Sequence, residues 1–198
     1  MQLVHTAGNA SRPAHGELTA DRLDLAALGQ IASRLPLGPA VHAALQRHAP
    51  SGLVQTLKAR WTGPPEAIQK YNVQGRVEQL AVQALPKESA QAAPGHAVGT
   101  PGLRGATVDF DLNESSGKAT VLVQEGAVDL PGVFEEPVVP ITRLSADLAW
   151  QRNGEKLAVQ VPQMRFANAD AEGELQLKWH TSDPERSGAR SRYPGVLD

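Results

Sequence analysis

The stretch Leu144-Ser145-Ala146-Asp147-Leu148-Ala149-Trp150-Gln151-Arg152-Asn153-Gly154-Glu155-Lys156-Leu157-Ala158-Val159-Gln160-Val161 decides how the rest of the chain is read. Leu144, Ala146, Leu148 and Trp150 recur at a period of two, which puts them on one face of a strand. Asn153-Gly154 then supplies the φ > 0 residues that a tight hairpin needs. Leu157, Val159 and Val161 run back on the same alternation. The expectation is an antiparallel pair with one apolar face and one wet face.

The pattern extends in both directions. Downstream, Met164 and Phe166 continue the alternation, with Asn168 as a possible further member, and Glu174 to Trp179 follows with Leu175, Leu177 and Trp179 inward. Upstream, Leu103 to Leu112 and Lys118 to Glu125 read as strands joined by Asn113-Glu114-Ser115-Ser116-Gly117. Ala127 to Leu130 reads as a separate short strand closed by Pro131-Gly132. Phe134 to Pro140 is too rich in proline for a central strand. Residues 86–101 read as a loop, and Ser182 to Arg192 as an exposed basic stretch.

Nearer the N-terminus the period changes twice. Gly16 to Asp24 reads as a strand, and Asp24 stands where a helix N-cap belongs. Leu25, Leu28, Ile31, Ala32 and Leu35 follow at helical spacing until Pro36. Pro39 opens a second helix through Val41, Ala44, Leu45 and His48, and Pro50 stops it. After Gly52 alternation resumes, with Leu53, Leu57, Ala59 and Trp61 on one face and Thr56, Lys58 and Arg60 on the other. Gly63-Pro64-Pro65 turns the chain into Tyr71 to Leu85. There Tyr71, Val73 and Val77 have one parity and Leu80, Val82 and Ala84 the other, which a bulge or break near Glu78-Gln79 would reconcile.

The fold class is therefore mainly β, an antiparallel meander or curved groove with two short helices near the N-terminus. It divides into a strand–helix–helix–hairpin segment (1–85), a loop (86–101), a meander (102–181) and a linker (182–198). No βαβ alternation supports a parallel nucleotide-binding sheet.

Composition narrows the function. Nineteen Lys and Arg against 21 Asp and Glu leave a net charge of -2, so no basic field exists to hold nucleic acid. With no cysteine, disulfides, thiolate metal sites and a thiol nucleophile are excluded. No run reaches the roughly 20 apolar residues of a membrane span. The opening Met1-Gln2-Leu3-Val4-His5-Thr6 lacks a signal peptide's basic start and apolar region. Both ends read as cut from a longer chain.

A search for reactive groups finds no candidate. His5, His15, His42, His48, His96 and His180 form no metal-ligand spacing, and His42 and His48 lie on different faces of their helix. Asp109 and Asp111 are a carboxylate pair of the type glycosidases use. Their alternation with Val108, Phe110 and Leu112 reads instead as the polar side of a strand. Nucleophile elbows and phosphate loops are absent. Asn9-Ala10-Ser11 and Asn113-Glu114-Ser115 match a glycosylation sequon too short to carry weight. Arg186, Arg190 and Arg192 read as a solvated stretch. The expectation is a non-enzyme without cofactor or metal.

The distinctive feature is the apolar face itself, whose candidate members are Leu57, Trp61, Phe110, Leu148, Trp150, Val159, Val161, Phe166, Leu175, Leu177 and Trp179. Such a face either closes into an ordinary core or stays open as a groove for acyl chains, which need no polar chemistry to be held.

Several segments resemble one family. They are Gly16-Glu17-Leu18-Thr19-Ala20-Asp21-Arg22-Leu23-Asp24-Leu25, Arg34-Leu35-Pro36-Leu37 and Ala49-Pro50-Ser51-Gly52-Leu53. Further along come Asp129-Leu130-Pro131-Gly132-Val133-Phe134-Glu135-Glu136-Pro137-Val138-Val139-Pro140 and Arg165-Phe166-Ala167-Asn168-Ala169-Asp170-Ala171-Glu172-Gly173. In this order and spacing they resemble the AsmA-like YhdP proteins of Gram-negative bacteria. The resemblance implies an internal portion of an inner-membrane-anchored protein whose periplasmic part is a long β-groove. Its partners would be phospholipid acyl chains and neighbouring segments of the same protein, with membrane association through other regions. It implies a part in phospholipid transport to the outer membrane and upkeep of the permeability barrier, and it has no catalytic residues to transfer. An envelope scaffold that binds protein through its strand edges is the alternative.

Overall fold

The computed structural model describes residues 2–8, 13–32, 39–64, 67–85, 99–181 and 195–197. Among the described residues ten strands form one antiparallel sheet in strict chain order. They are β1 (Gln2–Thr6), β2 (His15–Asp24), β3 (Ser51–Thr62), β4 (Lys70–Val82), β5 (Gly102–Asn113), β6 (Ser116–Asp129), β7 (Val138–Asn153), β8 (Lys156–Ala167), β9 (Glu172–Thr181) and β10 (Gly195–Leu197). The sheet is open, since β1 and β10 each have one neighbour. Two helices, α1 (Leu25–Ala32) and α2 (Pro39–His48), stand between β2 and β3. Asp24 caps α1, its Oδ1 accepting from the backbone N–H of Ala26 at 2.8 Å and of Ala27 at 3.2 Å. Leu35, Pro36 and the stretches 86–98 and 182–194 lie outside the described residues.

Hairpin chemistry sets the turns. Asn153 pairs with Lys156, so Gly154 (φ 62°) and Glu155 form the loop, one residue later than an Asn-Gly turn. Asn113 Oδ1 accepts from the N–H groups of Ser115 at 2.9 Å and Ser116 at 2.8 Å, closing the β5–β6 turn.

Three expectations change. Lys118–Glu125 and Ala127–Leu130 are largely one strand, because Glu125 (φ 54°) absorbs the irregularity and β6 runs on to Asp129. Val138 to Pro140 belongs to β7 despite its proline. That end of β7 pairs only with β6, and β8 joins from Arg143 onward, so proline sits where one side is unpaired. Leu53 is not on the apolar face: Gln55 is an extra residue, and Val54 points inward instead, 3% exposed. The bulge or break expected near Glu78-Gln79 is a bulge, with Gln79 at φ 51° and the β4–β5 register shifting between Val77 and Leu80.

Arg22 on β2, Gln79 on β4, Gly105 on β5 and Glu125 on β6 all have positive φ, and the last three sit where the register of β4, β5 and β6 shifts. A line of bulges adds twist and bend there. The two faces differ accordingly. Ala20, Val54, Val77, Ala106, Val123, Ile141, Leu144, Ala146 and Val161 are buried, and all belong to one face. Among the described residues α1 packs mainly on β2, β3 and α2, and no second layer covers β4 to β9. A single layer can bury one face in this way only by curling toward it.

Candidate functional site

Register turns the alternation into rows. The first row runs Leu3, Leu18, Ala59, Val73, Leu112, Gly117, Trp150, Val159, Trp179, each directly opposite the next on the neighbouring strand. Eight gaps of about 4.8 Å make it roughly 38 Å long. A second row holds Ala20, Leu57, Gly75, Phe110, Ala119 and Leu148. A third holds Leu23, Val54, Val77, Val108, Val121, Ala146, Met164 and Leu175. A fourth runs Leu80, Ala106, Val123, Leu144, Phe166 and Gly173. The rows cross the strands, so the side chains of the apolar face form bands that follow the strand order.

All eleven candidate residues lie on this face. Phe166, Val161, Leu177 and Leu148 pack with the buried cluster of Ala106, Val123, Ile141, Leu144 and Ala146. Trp61, Trp150 and Trp179 are not paired with one another across neighbouring strands. They sit on β3, β7 and β9 toward the hairpin end of the strands and line one margin, each half-buried. Leu175, on β9, is 37% exposed.

Sequence reasoning missed how the aromatic rings are seated. A Cβ built on Gly16 or Gly117 would fall within the indole of Trp61 or Trp150. One on Gly75 would meet Phe110 Cζ at 2.7 Å, and one on Gly173 would meet Phe166 Cε1 at 2.8 Å. Each ring lies across the glycine directly opposite it on the adjacent strand. The arrangement accounts for four of the six Trp and Phe residues. It occurs in alternate strand pairs, β2–β3, β4–β5, β6–β7 and β8–β9, with the glycine on the earlier strand in the first three and on the later strand in the last. Trp61 keeps its place although Nε1 is buried without a hydrogen-bond partner, so packing on glycine sets the ring position. Only knowledge of register could have revealed these pairs.

The other face is polar and laced across strands. Arg60 pairs with Glu17 at 3.1 Å, Arg76 with Asp109 at 2.7 Å and Glu78 at 3.1 Å, and Arg165 with Glu174 at 3.1 Å. Asp111 accepts from Asn72 at 3.0 Å and Gln74 at 3.2 Å. Asp109 and Asp111 thus serve cross-strand pairing. They border a hollow of about 590 Å³ on this polar face, with Lys118, Thr120 and Asp147. Asp147 accepts there from Thr120 at 2.9 Å. Among the described residues no three His, Asp or Glu side chains converge as a metal would require.

Three carboxyls on or beside this face are held below the ordinary glutamate range. Glu78 is lowered by the Gln55 amide and then Arg76, and Glu174 by Gln163 and then Arg165. Glu114 is lowered by its own backbone N–H and that of Tyr71. Arg76 is raised by Glu78 and Asp109. A depressed carboxyl adds stability that is complete above its unfolded value, about 4.3, and is lost as pH falls through the folded value. The urea midpoint is therefore expected to decline on acidification below about pH 4.3. A Glu78→Gln/Glu174→Gln chain should show a flatter decline in the same titration, and an unchanged slope would contradict the assignment.

Among the described residues no helix is long and apolar enough to cross a membrane. A family model described as YhdP protein matches residues 2–194. No curated protein and no solved structure matches the chain.

Proposed function

The chain belongs to the YhdP family, and from that premise we propose that its curled apolar face is a non-catalytic trough for phospholipid acyl chains in the periplasm. Family membership makes it an AsmA-like protein of the bacterial envelope. The observation that carries the proposal is the run of apolar rows over β4 to β9 with no covering layer among the described residues.

The physics suits movement along the trough. Each CH₂ removed from water contributes about 0.8 kcal/mol, without any directional contact. A chain lying along a row meets an apolar group about every 4.8 Å. Because successive positions are alike, stepping by one strand exchanges equivalent contacts and meets no deep well. Held this way, a phospholipid moves toward the outer membrane without chemistry at any residue, and the headgroup stays at the wet margin.

An envelope scaffold remains the second reading, favoured by one observation. β10 pairs only with Trp179, His180 and Thr181, so among the described residues the outer side of β9 from Glu172 to Lys178 has no partner. Such an edge accepts another strand. Native mass spectrometry of the chain purified from a Gram-negative host separates the readings. Co-purified phospholipid is expected, and a photo-crosslinker at Leu177 should label lipid. A chain that is consistently lipid-free and crosslinks to protein would overturn the proposal in favour of the scaffold.

A further inference from the structure

We infer that Gly16, Gly75, Gly117 and Gly173 determine the depth of the trough, each by giving the ring of the neighbouring strand a place to lie flat. The inference rests on the reading of this face as an acyl trough and assigns residues to it.

The geometry is repeated, which argues against chance packing. Glycine in a strand interior weakens the strand, because it adds backbone entropy to the unfolded chain and offers no side chain to pack. Here four such glycines each face an aromatic residue, on β2, β4, β6 and β9, so the seats lie about 9.6, 9.6 and 14.4 Å apart along the strand order. The ring covers the bare backbone, as an aromatic neighbour rescues an edge glycine. It also takes the space of the missing Cβ instead of standing up from the floor. Room for a linear acyl chain then remains above the ring. With any larger residue at Gly16, Gly117 or Gly173, the ring must tip toward the trough axis, because the contact is with a rigid ring and not the end of a flexible side chain; at Gly75 the Thr56 carbonyl oxygen at 2.8 Å obstructs a Cβ as well. Trp150 on Gly117 is the central case, lying in the longest row between Leu112 and Val159.

A double-variant cycle tests this, using the 198-residue chain and cis-parinaric acid, a fluorescent linear acyl chain, as the probe. Gly117→Ala is expected to weaken binding at least tenfold. Adding the same methyl to a Trp150→Ala chain should change binding less than threefold, since no ring is left to lift. Gly117→Ala within threefold of the native chain, or an equal loss with and without Trp150, overturns the inference while leaving the trough reading intact. A native chain that takes up no parinaric acid sinks the trough reading itself. Should Gly117→Ala fail to fold, the same cycle is run on Gly173 and Phe166, where the glycine sits on β9 near the sheet edge and the strand can give way. There a loss of threefold or more that disappears with Phe166→Ala supports the inference, and any other pattern overturns it.

Discussion

Leu148→Asp is expected to empty the chain of acyl ligand while the sheet stays folded. Leu148 is half-buried on the trough side, in the row that carries Phe110 and Ala119. A carboxylate there keeps part of its hydration, so folding survives. An acyl chain in that row must either strip the carboxylate of water or leave the row. Losing two or three CH₂ contacts at about 0.8 kcal/mol each is ~2 kcal/mol, or roughly thirtyfold in affinity. Leu122→Asp is the matched control. Leu122 lies one face away, between Thr107 and Ser145, and is 40% exposed, so neither lipid content nor melting should change. Lipid occupancy by native mass spectrometry and a thermal melt read both chains. Equal occupancy in the Leu148→Asp chain, or equal loss in the control, would count decisively against the trough.

Gln79→Pro should unfold the chain, whereas deleting Gln79 should not. Gln79 at φ 51° is the extra residue that lets Val77 and Leu80 face the same way. Proline holds φ near -65° and has no N–H, so the bulge cannot form. A regular strand through residue 79 would turn Leu80 and Val82 to the polar face. Each misplaced side chain costs about 1.5–3 kcal/mol, and together they cost much of a typical stability of about 5–15 kcal/mol. Deletion removes the bulge but keeps strict alternation from Val77 through Glu78 to Leu80 and Val82. The deleted chain should therefore fold with a flatter sheet and weaker acyl binding. Circular dichroism and urea titration of both chains decide, and a proline chain as stable as the native one would refute the role given to Gln79.

Local features were legible because their causes are local. The cap at Asp24 needs only a carboxylate ahead of a helical run. The change of period at Gly52 and the parity conflict at Glu78-Gln79 are read from neighbours along the chain. Even there the reading slipped where a bulge left no conflict to notice. Gln55 lies between Val54 and Thr56 without disturbing the pattern, so Leu53 looked inward. Proline at 140 argued against a central strand, and β7 is paired on one side only there, which composition by itself does not tell.

The alternation of side chains, and with it one greasy and one wet face, was determined by the sequence alone, since a period of two follows from the pleat of a single strand. Which residues stand opposite one another was decided only in the folded sheet, where turns and bulges together set the register of ten strands. The rows across the strands, the rings seated on glycines and the span from β4 to β9 that no layer covers among the described residues all depend on that register. Pairing between residues far apart in the chain leaves no periodic trace along it, so no reading of one strand at a time could have found them.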